Sequence, residues 1–74
     1  MVKLVLVPLV GGKKAVLAEL PAWMSVRDAI LSAFPELSAT RLVVFDGNEP
    51  VSPDTAVGEL RSGRIVFWPY TLGG

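Results

Sequence analysis

The stretch VKLVLVPLVGGKKAVLAEL, residues 2–20, decides how the rest of the chain is read. Val2 to Val7 are β-branched residues or leucines apart from Lys3, Gly11 and Gly12 break the run, and Ala15 to Leu20 resumes it, a pattern that predicts a β-hairpin. Alternation puts Leu4 and Leu6 on one face of the first strand, and Val16, Ala18 and Leu20 on one face of the second. Those sets are expected to face the core, with Lys3 and Glu19 on the wet side. Gly11 and Gly12 lack the lysine and hydroxyl pattern of a phosphate loop, so they read as a turn.

Working outward, Pro21 ends the second strand and Ser25 stands three residues before Asp28. It heads the helically spaced set Val26, Ala29, Ile30, Ala33 and Phe34, with Ser25 as the expected N-cap. Pro35 disfavours helical geometry in the residue before it, so the helix is expected to stop by Phe34. Arg41 to Phe45 reads as a third strand, Asp46, Gly47 and Asn48 as a turn, and Glu49 to Val51 as a short fourth strand. Pro53 and Asp54 open an irregular or single-turn helical stretch through Leu60, from which Val57 and Leu60 can reach the core. Ser62 and Gly63 turn the chain into a last strand, Arg64 to Trp68, which Pro69 is expected to end. The order predicts one α+β domain over residues 1–69, a mixed sheet of four or five strands packed on one helix, followed by a tail over residues 70–74. The apolar runs Val2 to Val7 and Ile65 to Phe67 suit adjacent positions at the sheet centre.

Composition narrows the function. Seventy-four residues hold one domain, and such a chain removes only about 60% of its unfolded surface from water. Half of the side chains are hydrophobic, more than so small a body can enclose, so part of that surplus is expected to form a contact surface. The absence of cysteine and histidine removes the commonest zinc ligands, the thiol nucleophile and the commonest general base. An enzyme is therefore not expected, and neither an intrinsic cofactor nor a metal. Asp28, Glu36 and Asp54 have no spacing that joins a base to a pocket, so capping and turn roles are expected of them. Seven basic and seven acidic residues balance, without a stripe suited to phosphates, so nucleic acid is not an expected partner. The apolar opening is half the length needed to cross a bilayer and carries no signal-peptide cleavage site, so no membrane association and a cytoplasmic location are expected.

The hairpin with Gly11 and Gly12, the segment Thr40, Arg41, Leu42 leading to Gly47, and the ending Leu72, Gly73, Gly74 resemble ubiquitin and its archaeal relatives. Glu19, Leu20, Pro21 through Ser25 to Asp28, and Phe67, Trp68, Pro69 before the two glycines, are more similar to the sulfur-carrier branch of that superfamily, which contains the small subunit of molybdopterin synthase and the thiamine sulfur carrier. The resemblance covers nearly the whole chain and implies the ubiquitin-like β-grasp fold. It also implies a partner, an adenylating enzyme of the ubiquitin-activating type, which uses ATP to convert the Gly74 carboxylate to an acyl-adenylate. Conjugation would then form an amide with a target lysine, reversible by a deconjugating protease. Sulfur carriage would end in a thiocarboxylate passed to an acceptor enzyme for molybdopterin, thiamine or tRNA thiolation. A β-grasp interaction module without terminal chemistry is the third reading.

A carboxylate entering a partner's narrow site needs slender neighbours, and glycine has no Cβ to clash there, which suits Gly73 and Gly74. Tyr70, Thr71 and Leu72 are expected to contact the activating enzyme. If Ile65 and Phe67 face the helix, then Val66 and Trp68 face the uncovered side of the sheet, as do Val43 and Phe45, with Leu9 alongside. These five are the expected recognition patch on a monomeric protein. Lys13 and Lys14 read as a solvated hairpin tip rather than as sites of chain building, and with Lys3 they are the only lysines.

Overall fold

The computed structural model describes residues 1–38 and 40–70. Strands β1 (Val2–Pro8) and β2 (Val16–Leu20) form the opening hairpin, helix α1 (Val26–Ala33) follows, and β3 (Arg41–Asp46), β4 (Glu49–Val51) and β5 (Arg64–Tyr70) complete one five-stranded sheet. The strand order is β2-β1-β5-β3-β4, with β1 and β5 parallel and the other pairs antiparallel. This is the ubiquitin-like β-grasp arrangement.

Leu4 and Leu6 from β1, Ile65 and Phe67 from β5, and Leu42 and Val44 from β3 point to one side of the sheet and are buried. Against them lie Val26, Ala29, Ile30 and Phe34 of the helix segment, with Leu20, Leu37 and Val57 closing the edges of the same cluster. The Phe34 and Phe67 rings meet at 5.6 Å with a 56° tilt, the edge-biased contact that aromatic quadrupoles favour.

Ser25 caps α1 as its spacing predicts, its Oγ accepting the Asp28 N–H at 3.1 Å. Phe34 ends the helix, and Pro35 begins a 3₁₀ turn to Leu37 that the sequence reading did not include. The first amides of α1 find partners outside it, with Val26 N–H donating to Thr55 C=O and Arg27 N–H to Pro53 C=O. The segment after β4 thus crosses the helix start. It continues with Val57 N–H to Met24 C=O and Gly58 N–H to Ala22 C=O at 2.9 Å. Gly58 is needed there because a Cβ would fall 2.8 Å from the Ala22 Cβ. Gly47 holds the β3–β4 turn with φ of 64°, as its glycine freedom predicts.

Three expectations are corrected. Pro69 does not end β5, which runs on to Tyr70 with Leu42 opposite Pro69 and Arg41 opposite Tyr70. The Phe67 carbonyl accepts from Leu9 N–H, so Phe67 and, two residues on, Pro69 turn their main-chain groups toward β1, whose ladder has by then ended at Pro8. The missing N–H therefore costs no ladder bond. Val16 is 36% exposed instead of in the core, because it sits at the open end of an edge strand, while Ala18 and Leu20 do pack inward. Lys13 is not simply a solvated tip: it pairs with Glu36 and stands 5.9 Å from the centre of the Phe34 ring, tying the hairpin turn to the far end of α1.

Two substitutions probe this frame by urea unfolding. Gly58→Ala is expected to destabilise by about 1–3 kcal/mol, since main chain at Ala22 must move. Ser25→Ala is expected to cost about 1 kcal/mol, and Ser25→Gly only a few tenths.

Candidate functional site: the uncovered face of the sheet

A strand that buries alternate residues presents the intervening ones on the opposite side. Leu42, Val44, Ile65 and Phe67 are buried, and Val43, Phe45, Val66 and Trp68 accordingly share the other face, all half-buried. The register places Trp68 opposite Val43 and Val66 opposite Phe45. Phe45 and Trp68 sit diagonally, with ring centres 5.5 Å apart and planes 18° from parallel, a stacked contact. Four of the five expected patch residues are thus brought together.

Leu9 is 58% exposed and follows the Pro8–Phe67 pair, donating its N–H to the Phe67 carbonyl at 2.8 Å. That continuation of the register puts it level with Trp68. The patch also extends beyond the residues named from sequence. Val7 pairs with Val66, and Phe45 with Pro50, so Val7, Val66, Phe45 and Pro50 form one apolar row across β1, β5, β3 and β4. Val5 and Leu17 pair on the same face, and Leu17 is 67% exposed. Alternation against Leu4 and Leu6 was the signal for Val5 and Val7. Trp23, to which the sequence reading assigned no role, is 80% exposed in the turn between β2 and α1.

Tyr70 ends β5 beside a shallow cleft of about 330 Å³ lined by Arg27, Arg41, Leu42, Pro53 and Asp54. Arg27 is held there, donating from its guanidinium to the Ser38 carbonyl at 3.1 Å and the Thr40 carbonyl at 3.4 Å. The other expected tail positions, Thr71, Leu72, Gly73 and Gly74, lie outside the described residues.

The acidic residues are engaged locally, Asp28 and Asp54 through their main-chain amides and Glu36 and Asp46 through their carboxylates. Asp28 takes part in the Ser25 cap through its amide, and Asp54 N–H donates to Ser52 Oγ. Glu36 is held below the usual carboxylate range, first by the hydrogen bond from Lys13. Asp46 accepts from Arg61 N–H at 2.9 Å, Ser62 N–H at 3.0 Å and the Ser62 hydroxyl, which ties the end of β3 to the turn before β5. Desolvation pushes its pKa up, but the bonds from Ser62 and Arg61 together outweigh this and leave it lowered. Among the described residues no group of three metal-ligating side chains is found, and no helix is long and apolar enough to cross a membrane.

No family model, curated protein or solved structure matches the chain. What the chain shares with ubiquitin-like proteins is the arrangement of its sheet and helix.

Two outcomes follow. Because the folded pKa of Asp46 lies below its ordinary value of 3.8, its clamp contributes stability above that pH and loses it as pH falls through the lowered value. Urea midpoints followed from neutral to acid pH should decline less steeply in Asp46→Asn, from a lower plateau. Trp68→Ala is expected to cost about 1–2 kcal/mol of folding stability, as suits a half-buried side chain stacked on one neighbour, rather than the roughly 3–5 kcal/mol of a fully buried aromatic.

Proposed function

We propose that the protein is a ubiquitin-like modifier, activated by adenylation of the Gly74 carboxylate and joined to lysines of target proteins. The observation that carries this reading is the position of the apolar face: β5, the strand that bears Val66 and Trp68, is the one that leads into Gly73 and Gly74. A partner that docks on Val43, Phe45, Val66 and Trp68 is thereby held next to the segment whose carboxylate it must reach. Partners gain most from a packed aromatic centre with a polar rim, and the stacked Phe45 and Trp68 supply that centre.

The protein itself contributes no catalytic side chain in this scheme. ATP and the activating chemistry come from the adenylating partner, with Tyr70, Thr71 and Leu72 threaded beside the reacting carboxylate. Slender terminal residues let that carboxylate approach the nucleotide phosphate without a side-chain clash.

Intact-mass analysis after incubation with ATP, sulfide, an adenylating enzyme of the ubiquitin-activating type and a cell extract tests the proposal. Lysine-linked adducts of the chain are the expected result. Replacement of one terminal oxygen by sulfur without such adducts would instead identify a sulfur carrier, and no change at all would leave an interaction module. Deleting Gly74 is expected to abolish every product while leaving the thermal midpoint unchanged, since the core formed by the described residues is complete between Leu4 and Phe67.

A further inference from the structure

The two borders of the sheet are unlike. β4 is three residues long and contains Pro50 and Glu49, features that obstruct addition of another strand. β2 has five residues, no proline and a single charge, Glu19. Leu17 at 67% and Val16 at 36% exposure leave apolar side chains uncovered on both faces of the same end.

The hydrogen-bond parity of the sheet identifies which main-chain groups face outward. Val5 donates to Gly63 C=O and Leu9 to Phe67 C=O, so the odd-numbered residues of β1 address β5. The even-numbered ones, Val2, Leu4 and Leu6, address β2 through their partners Leu20, Ala18 and Val16. Leu17 and Glu19 therefore turn their N–H and C=O groups to the open border, and Ala15 continues that phase.

We propose that this border is a self-association surface, on which β2 pairs antiparallel with β2 of a second copy about a two-fold axis at Leu17. In that register Leu17 exchanges both main-chain bonds with its counterpart, and each Ala15 pairs with Glu19 of the other copy. The outward-facing residues Ala15, Leu17 and Glu19 are symmetric about the axis, so each has a partner. Pro21 falls opposite Lys13, beyond the ladder. Charge selects the same direction: an antiparallel copy brings Glu19 toward the end of its neighbour that carries Lys14, Lys13 being engaged by Glu36, whereas a parallel one would set Glu19 beside Glu19. Leu17 also flanks Val5 on the uncovered face, so the pairing merges two apolar faces into one ten-stranded sheet. This inference is independent of the terminal chemistry and departs from the monomer expected from sequence, which did not weigh the open border of β2.

Sedimentation of the full chain from about 10 μM to about 1 mM, combined with amide hydrogen exchange at both ends of that range, tests it. Mass is expected to rise toward that of two chains, with the Leu17 and Glu19 amides gaining protection as concentration rises. Leu17→Lys, which sets two ammonium groups together on the axis, should weaken association at least about tenfold while leaving the unfolding midpoint of the dilute protein unchanged. A chain that stays monomeric throughout overturns the proposal. So does a dimer in which Leu17 and Glu19 exchange as fast as in the monomer, or a border that takes up an unrelated extended peptide but not a second copy.

Discussion

The parallel pairing of β1 with β5 is the constraint from which the rest of the molecule follows. It joins the two ends of the described chain, Val5 beside Arg64 and Pro8 beside Phe67. Closing so long a loop costs conformational entropy, and that cost is offset where Leu4, Leu6, Ile65 and Phe67 are buried together. A parallel pair needs a crossover, and α1 lies within it, covering the inner face of both central strands. With β1 and β5 at the centre, β2 and β4 become the borders.

The sheet has two faces, and among the described residues one α-helix covers it. Burial of alternate residues on the inner side therefore obliges the others to face solvent, and in this chain many of those are also apolar. Val7, Val66, Phe45 and Pro50 lie in register across four strands, and Trp68 stacks on Phe45 beside them. Water contact with such a row is a standing free-energy cost that a partner surface relieves. The same physics that fills the core thus creates the surface from which a modifier role is inferred.

Elements set by local chemistry are legible in the sequence. Ser25 is a cap because its hydroxyl suits an orphan amide three residues on, and Gly47 is a turn residue because only glycine takes its φ without strain. β4 lies at Glu49 to Val51 as read, and the outward phase of Val43, Phe45, Val66 and Trp68 follows from period-two alternation alone. What was misread depends on neighbours. Pro69 looked like a terminator because its cost in a strand depends on whether another strand lies on its nitrogen side. Lys13 looked like a free tip because Glu36 and Phe34 are distant in sequence.

By itself, the sequence determined the order of the strands and of α1, the period-two phase of the strands, the helix start, and the diglycine to which activation is ascribed, since all of these depend on residues within a few positions of one another. Only the tertiary structure decided that Val7 lies beside Val66 and Leu17 beside Val5 so that they join the apolar face, that Gly58 must lack a Cβ against Ala22, and that β2 keeps an open border. Each of these is a property of strands or turns placed side by side by folding, and short-range patterns carry no term for neighbours that far apart along the chain.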